Sequence, residues 1–141
     1  MTISVPAEAY VLDSSAILRL LDNEAGANQV RRILYRLTQG GVDVLVCALH
    51  WGEMAGHLHR MKGAEAQERA LSHVASLGVE IVPVSAERAW RAAMLETELK
   101  IPYVSAFGVE LADSVPCVLV TADYDVQPAA HRVDIHFLPK G

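Results

Sequence analysis

Residues 10–18 read YVLDSSAIL. Three apolar residues run into an acid, two hydroxyls follow, and the chain turns apolar again. The run Tyr10–Leu12 reads as a buried strand, and Ser14–Leu21 as a helix with Ile17, Leu18 and Leu21 on one face. Asp13 stands at the junction. A carboxylate there either caps the helix that follows or forms one wall of a metal site. This stretch alone leaves both readings open.

The same alternation continues outward from it. Asn28–Gln39 is the clearest helix, with Val30, Ile33, Leu34 and Leu37 spaced i, i+3, i+4, i+7 and Arg31, Arg32 and Arg36 facing away. Gly40-Gly41 ends it. The run VDVLVCAL, residues 42–49, is a second strand, rich in Val and Leu on both faces as in a buried parallel sheet. A helix from Ala48 toward Arg60 carries Glu53, and another spans Ala64–Leu77, stopped by Gly78. VEIVPV (79–84) is a third strand. Ser85 caps a helix with Trp90, Ala93 and Met94 inward, broken at Lys100-Ile101-Pro102. Tyr103–Ala112 is a short helix, VPCVLVTAD (115–123) a fourth strand, and VDIHFL (133–138) a fifth at an edge. Strands alternating with helices predict an α/β fold whose parallel sheet is covered on both faces.

The chain has 141 residues, expected to form one domain over 1–141 with residues 1–8 as a lead-in. Apolar residues make up 52% and charged residues 21%, which argues against disorder. No apolar run approaches the roughly 18 residues of a membrane span, and the start lacks a signal-peptide pattern. Cys47 and Cys117 both sit in apolar stretches and read as reduced core residues, so a cytoplasmic location is expected. The net charge of −5 is unusual for a general nucleic-acid binder. That objection weakens if clustered acids hold a cation.

The acids do gather. In an open parallel sheet, ligands sit beyond the C-terminal strand ends. The first strand ends in Asp13, the fourth in Thr121, Asp123 and Asp125, and the second feeds the helix carrying Glu53. Two carboxylates about 4 Å apart repel by roughly 4 kcal/mol at an effective dielectric near 20. The motifs offer hydroxyls (Ser14, Ser15, Thr121) but no Lys or Arg to compensate. An all-oxygen set is what Mg²⁺ or Mn²⁺ prefers.

Three blocks carry a resemblance: YVLDSSAILRLL (10–21), VLVCALHWGEMAGHL (44–58) and SAFGVELADSVPCVLVTADYD (105–125). Together they resemble the signature blocks of PIN domains, specifically the VapC-type toxins. The resemblance implies a three-layer α/β/α PIN-like fold with a mainly parallel sheet. It also implies a Mg²⁺- or Mn²⁺-dependent endoribonuclease, an antitoxin protein as partner and a homodimer. By position, Asp13, Glu53 and Asp123 match the family's acids, with Asp125 where some members place a further one and Thr121 as an orienting hydroxyl. One residue departs: where members usually carry Asp-Ala-Phe, this chain has Ser105-Ala106-Phe107. The lost carboxylate is expected to weaken metal binding. Asp125 could offset it in part, and Glu110 less well. Ser105 either holds a metal-bound water or serves simply as a helix N-terminal residue.

Arg19, Arg31, Arg32 and Arg36 are candidates for steering RNA, against the plainer reading of a solvated helix face. Other constellations carry less. His50, Glu53 and His57 share a helix face and could ligate zinc, although the i, i+7 span rises about 10 Å. His59, His73, His131 and His136 read as surface or edge residues, and Trp51 and Trp90 as packing. A receiver-like phosphoacceptor would want a Lys after the last strand block, which is absent. The rival of a different class is a PIN protein that cuts poorly and acts by binding RNA or an antitoxin.

Overall fold

The computed structural model describes residues 8–141. Strand β1 (Glu8–Leu12) is followed by helices α1 (Ser14–Leu21) and α2 (Ala27–Thr38). Then come β2 (Val42–Cys47), α3 (Ala48–Lys62), α4 (Ala64–Ser76) and β3 (Glu80–Val82). Helices α5 (Ala86–Leu99) and α6 (Tyr103–Ser114), strand β4 (Val118–Thr121), a 3₁₀ turn (Tyr124–Ala129) and β5 (Asp134–Phe137) complete the order. Glu8, counted with the expected lead-in, pairs with Val42 as part of β1, and residues 1–7 of that segment lie outside the described residues.

All four strand pairings are parallel, in the order β3-β2-β1-β4-β5. Side chains alternate across a strand, and here each alternate set lands in its own core. Leu12, Val44, Val46 and Val120 pack with α1, α2, α3 and α4 on one face. Val11, Cys47 and Leu119 pack with α5 and α6 on the other. Both faces are therefore buried, the condition under which an all-parallel sheet is stable. This is the three-layer α/β/α arrangement expected from the sequence, with β5 at an edge.

Some details differ. The helix face of α5 is turned relative to expectation: Ala92 and Leu95 are buried, while Trp90 is 64% and Met94 39% exposed. Spacings near 3.6 allow two interleaved faces on this helix. The one with the small Ala92 lets α5 approach α6 closely, and the Trp90 face is left outside. Strands β3 and β4 are shorter than their apolar runs. Cys47 and Cys117 are free thiols, with burial raising both pKa values, that of Cys117 to about 11.

Two glycines separate backbone strain from steric need. Gly26, ahead of α2, has φ +89°, and an added Cβ would lie 2.9 Å from Leu138 Cβ. Gly40 has φ +75° with nothing within 4 Å of such a Cβ. Gly40→Ala is expected to cost about 1 kcal/mol and Gly26→Ala about 1–2 kcal/mol more, read by urea denaturation. Equal losses would mean that the Leu138 side relaxes freely.

Candidate active site

The C-terminal ends of β1 and β4 lie side by side, Leu12 in register with Val120. The chain leaves β1 at Asp13, in extended backbone, and leaves β4 after Thr121. A carboxylate and a hydroxyl 108 residues apart in sequence thereby meet: Thr121 Oγ1 donates to Asp13 Oδ2. The other oxygen of Asp13, Oδ1, accepts from Ser15 Oγ at 2.6 Å and from the Ala16 amide at 3.0 Å. Capping of α1 by Asp13 is thus realised, and it uses only one of the two carboxylate oxygens. Ser15 Oγ accepts from the Ala122 amide at 2.9 Å and lies 3.2 Å from Thr121 Oγ1.

Thr121 reaches the next acid as well. Its Oγ1 accepts from the Asp123 amide at 2.9 Å, which orients the turn presenting Asp123. Asp123 Oδ2 accepts from Ser105 Oγ at 2.6 Å, and Oδ1 from the Asp125 amide at 3.0 Å. Glu53, exposed on α3, accepts from Ser14 Oγ at 3.0 Å. Each of the three acids therefore holds at least one hydroxyl. Asp125 is exposed and contributes to this network through its amide. Glu110 faces elsewhere: it is buried against α5, with Arg88 Nη1 at 2.8 and 3.2 Å and Arg91 Nη1 at 3.5 Å.

Asp13 is the buried member, and burial raises its carboxyl pKa. Hydrogen bonds from Ser15 and Thr121, the nearby His50 and the Ala16 amide pull the other way without offsetting it. A buried carboxylate in this condition gains from a proton or a cation. Among the described residues no three His, Cys, Asp or Glu side chains form a ready-made metal cage. The oxygens of Asp13, Glu53 and Asp123, with the Ser14 and Ser105 hydroxyls, suit a hard cation that keeps much of its water. Mg²⁺ typically takes one or two carboxylates and completes its shell with waters and substrate phosphates.

The zinc arrangement does not form. His50 is buried with Nε2 2.8 Å from the Val104 carbonyl, whereas Glu53 faces Ser14. The arginines also divide. Arg19 donates to the carbonyls of Ala25 at 2.7 Å and Pro139 at 2.9 Å, tying the α1–α2 turn to the C-terminal segment. Arg36 bonds Glu8 at 2.9 Å and Tyr10 Oη at 3.3 Å, at the opposite end of the sheet from the acids. Arg31 and Arg32 are exposed on α2. Ser15, one of the three hydroxyls that the motifs offer, is the one that bonds both Asp13 and the Ala122 amide, and Lys140, which follows no motif, lies 4.8 Å above the ring of Tyr124, between Asp123 and Asp125 in sequence.

The PIN-domain family profile matches residues 10–132. The chain belongs to the PIN-domain family. No curated protein sequence matches it. Among solved structures it is similar to VapBC2 from Rickettsia felis bound to a DNA fragment from their promoter, with 16% identity and TM-score 0.75, covering 93% of this chain and 99% of that one. It is similar to VapC20 from Mycobacterium tuberculosis, a sarcin-ricin loop cleaving toxin, with 16% identity and TM-score 0.65, covering 88% and 95%. A toxin-antitoxin complex from Klebsiella pneumoniae matches with 16% identity and TM-score 0.65, covering 90% and 95%.

The raised pKa of Asp13 has a sign. An acid that binds its proton more tightly when folded makes the fold lose stability as pH climbs from the ordinary aspartate range toward the raised value. In metal-free buffer at pH 7, Asp13→Asn should therefore melt a few degrees above the wild type, with the gap closing toward pH 4. A variant that melts at or below the wild type at pH 7 would contradict the penalty assigned to this buried charge.

Proposed function

We propose that the protein is a divalent-metal-dependent endoribonuclease of the VapC toxin type, weakened by Ser105. Membership of the PIN-domain family supports the nuclease class. The observation that carries the reading is the linked run Asp13–Thr121–Asp123 across the ends of two adjacent strands, with Glu53 beside it through Ser14. Asp13, Glu53 and Asp123 would hold Mg²⁺ or Mn²⁺, which when bound lowers the pKa of a water and offsets charge on the scissile phosphate.

The chain's own residues do the positioning. Thr121 fixes both Asp13 and the Asp123 turn, so the two acids keep one relative orientation. Ser14, next to Asp13 in the chain, donates to Glu53. Ser105 supplies a neutral hydroxyl to Asp123, which lowers the site's charge and its hold on a cation. Asp125, exposed next to Asp123, is a peripheral acid for an outer water. Of the four candidate arginines, Arg31 and Arg32 are the exposed ones on α2, Arg31 bonding Asn28 one turn earlier, and these would meet an RNA backbone, with recognition resting on shape and splayed bases.

An antitoxin is the proposed protein partner. An open groove of about 480 Å³ between α1, α2 and α4 has Leu20, Leu21, Leu34 and Leu77 on its floor and Arg31 and His73 at its rim. Its chemistry suits an amphipathic segment with acidic residues. A homodimer and a cytoplasmic location complete the reading; among the described residues no helix is long and apolar enough to cross a membrane.

A second reading has a specific observation behind it. Asp123 already has a hydroxyl partner, and among the described residues no three acids stand ready as a cage. A PIN protein that binds RNA or an antitoxin without cutting would fit both facts.

Cleavage and metal binding separate the two. With Mn²⁺ present, the wild type should cut RNA slowly, Ser105→Asp at least about tenfold faster, and Asp123→Asn not at all. An inert wild type revived by Ser105→Asp favours binding alone. If none of the three cuts any RNA, the nuclease reading is lost.

Melting gives an independent measure. Metal at 100 times its Kd stabilises by about 2.7 kcal/mol, so a Mn²⁺ titration of Tm should reach its effect at lower concentration in Ser105→Asp than in the wild type. The same midpoint for both proteins would remove Ser105 as the cause of weak binding.

A further inference from the structure

Among the described residues, two buried polar side chains stand outside the proposed chemistry, and one of them, Glu110, is paired with Arg88 and Arg91. His50, in the first turn of α3, is 2% exposed. Its Nε2 lies 2.8 Å from the carbonyl of Val104, in the first turn of α6. A carbonyl only accepts, so Nε2 carries a proton, and the other ring nitrogen is Nδ1. That Nδ1 is buried without a partner. An unbonded buried nitrogen costs stability, and an apolar side chain of similar bulk would avoid that cost.

The ring has a shaped seat. Gly108, one helical turn after Val104, leaves it room: an added Cβ would come 3.4 Å from His50 Cε1 and 3.3 Å from Leu119 Cδ1. Both helices that meet at this ring present a side chain to the acid cluster. Helix α3 carries Glu53, bonded to Ser14, one turn beyond His50. Helix α6 carries Ser105, bonded to Asp123, immediately after Val104.

We infer that His50 is a positioning residue: its Nε2–H bond to the Val104 carbonyl fixes the first turn of α6 and so seats Ser105 against Asp123. Its effect on cleavage rests on the ribonuclease reading, while its effect on the helix turn does not. Leu in place of His50 fills the apolar volume and removes both nitrogens. Gln keeps an N–H donor near the position of Nε2.

The test compares the full-length wild type with His50→Leu and His50→Gln by amide hydrogen exchange and melting. In His50→Leu, exchange at residues 106–108 should rise at least tenfold while Tm stays level or increases; His50→Gln should restore protection. Where RNA is cut, kcat should fall in the Leu variant with KM unchanged, and recover in the Gln variant. Unchanged exchange at 106–108 in His50→Leu overturns the inference. So does a fall in Tm with loosening throughout α3 and α6 that Gln does not rescue, since that marks a histidine needed only for packing. Should His50→Leu not fold, His50→Asn, whose amide stops short of Val104, gives the same comparison against Gln. The expected exchange pattern in a protein that cuts no RNA would sink the ribonuclease reading and leave the brace intact.

Discussion

The bond from Thr121 to Asp13 joins the ends of the two central strands where the fold gathers its acids. Parallel strands hold their backbones together along their length, but nothing in that ladder fixes what lies just beyond it. Here the fixing is done by side chains. Thr121 takes one oxygen of Asp13, Ser15 and the α1 backbone take the other, and Thr121 then accepts the amide of Asp123. The start of one helix and the turn after β4 are thereby set by one buried carboxylate.

That carboxylate sits there at a cost, because burial opposes its charge. The hydroxyls of Ser15 and Thr121, bonded to it, are the remedy at hand. The pattern extends outward: Ser14 serves Glu53 and Ser105 serves Asp123. Hydroxyls satisfy a carboxylate without neutralising it, so they hold the acids in place and leave the demand for positive charge unmet. Ser105 is informative in this light. An Asp at that position would add repulsion that a cation or a proton must relieve, whereas the serine donates a hydrogen bond and makes the metal-free arrangement more comfortable.

Much of this was legible in the sequence, for identifiable reasons. Asp13, Thr121 and Asp123 stand at the ends of apolar runs, and a parallel sheet sends all strand ends to one edge, so their meeting follows from topology. The order of α and β elements was visible because each apolar run is strongly periodic. The face of α5 was not, since Trp90/Met94 and Ala92/Leu95 fit helical spacing equally well and only packing against α6 chooses between them. Ser15 could not be told from Ser14, as neighbouring hydroxyls differ only in the direction they point. His50 was hidden because its partner is a backbone carbonyl 54 residues away, for which no residue type gives a sign.

The central place of β1 also has a temporal consequence. Its neighbour β2 follows within about 40 residues, but β4 comes more than 100 residues later, as Asp13 and Thr121 do. Contacts between such distant segments form late and slowly, after the entropy of closing the intervening loop has been overcome. On a ribosome, the first helices can dock on β1 and β2 while the partner of Asp13 is still unmade. The acid cluster is then among the last parts of the molecule to exist, and a chain cut short before β4 carries half of it.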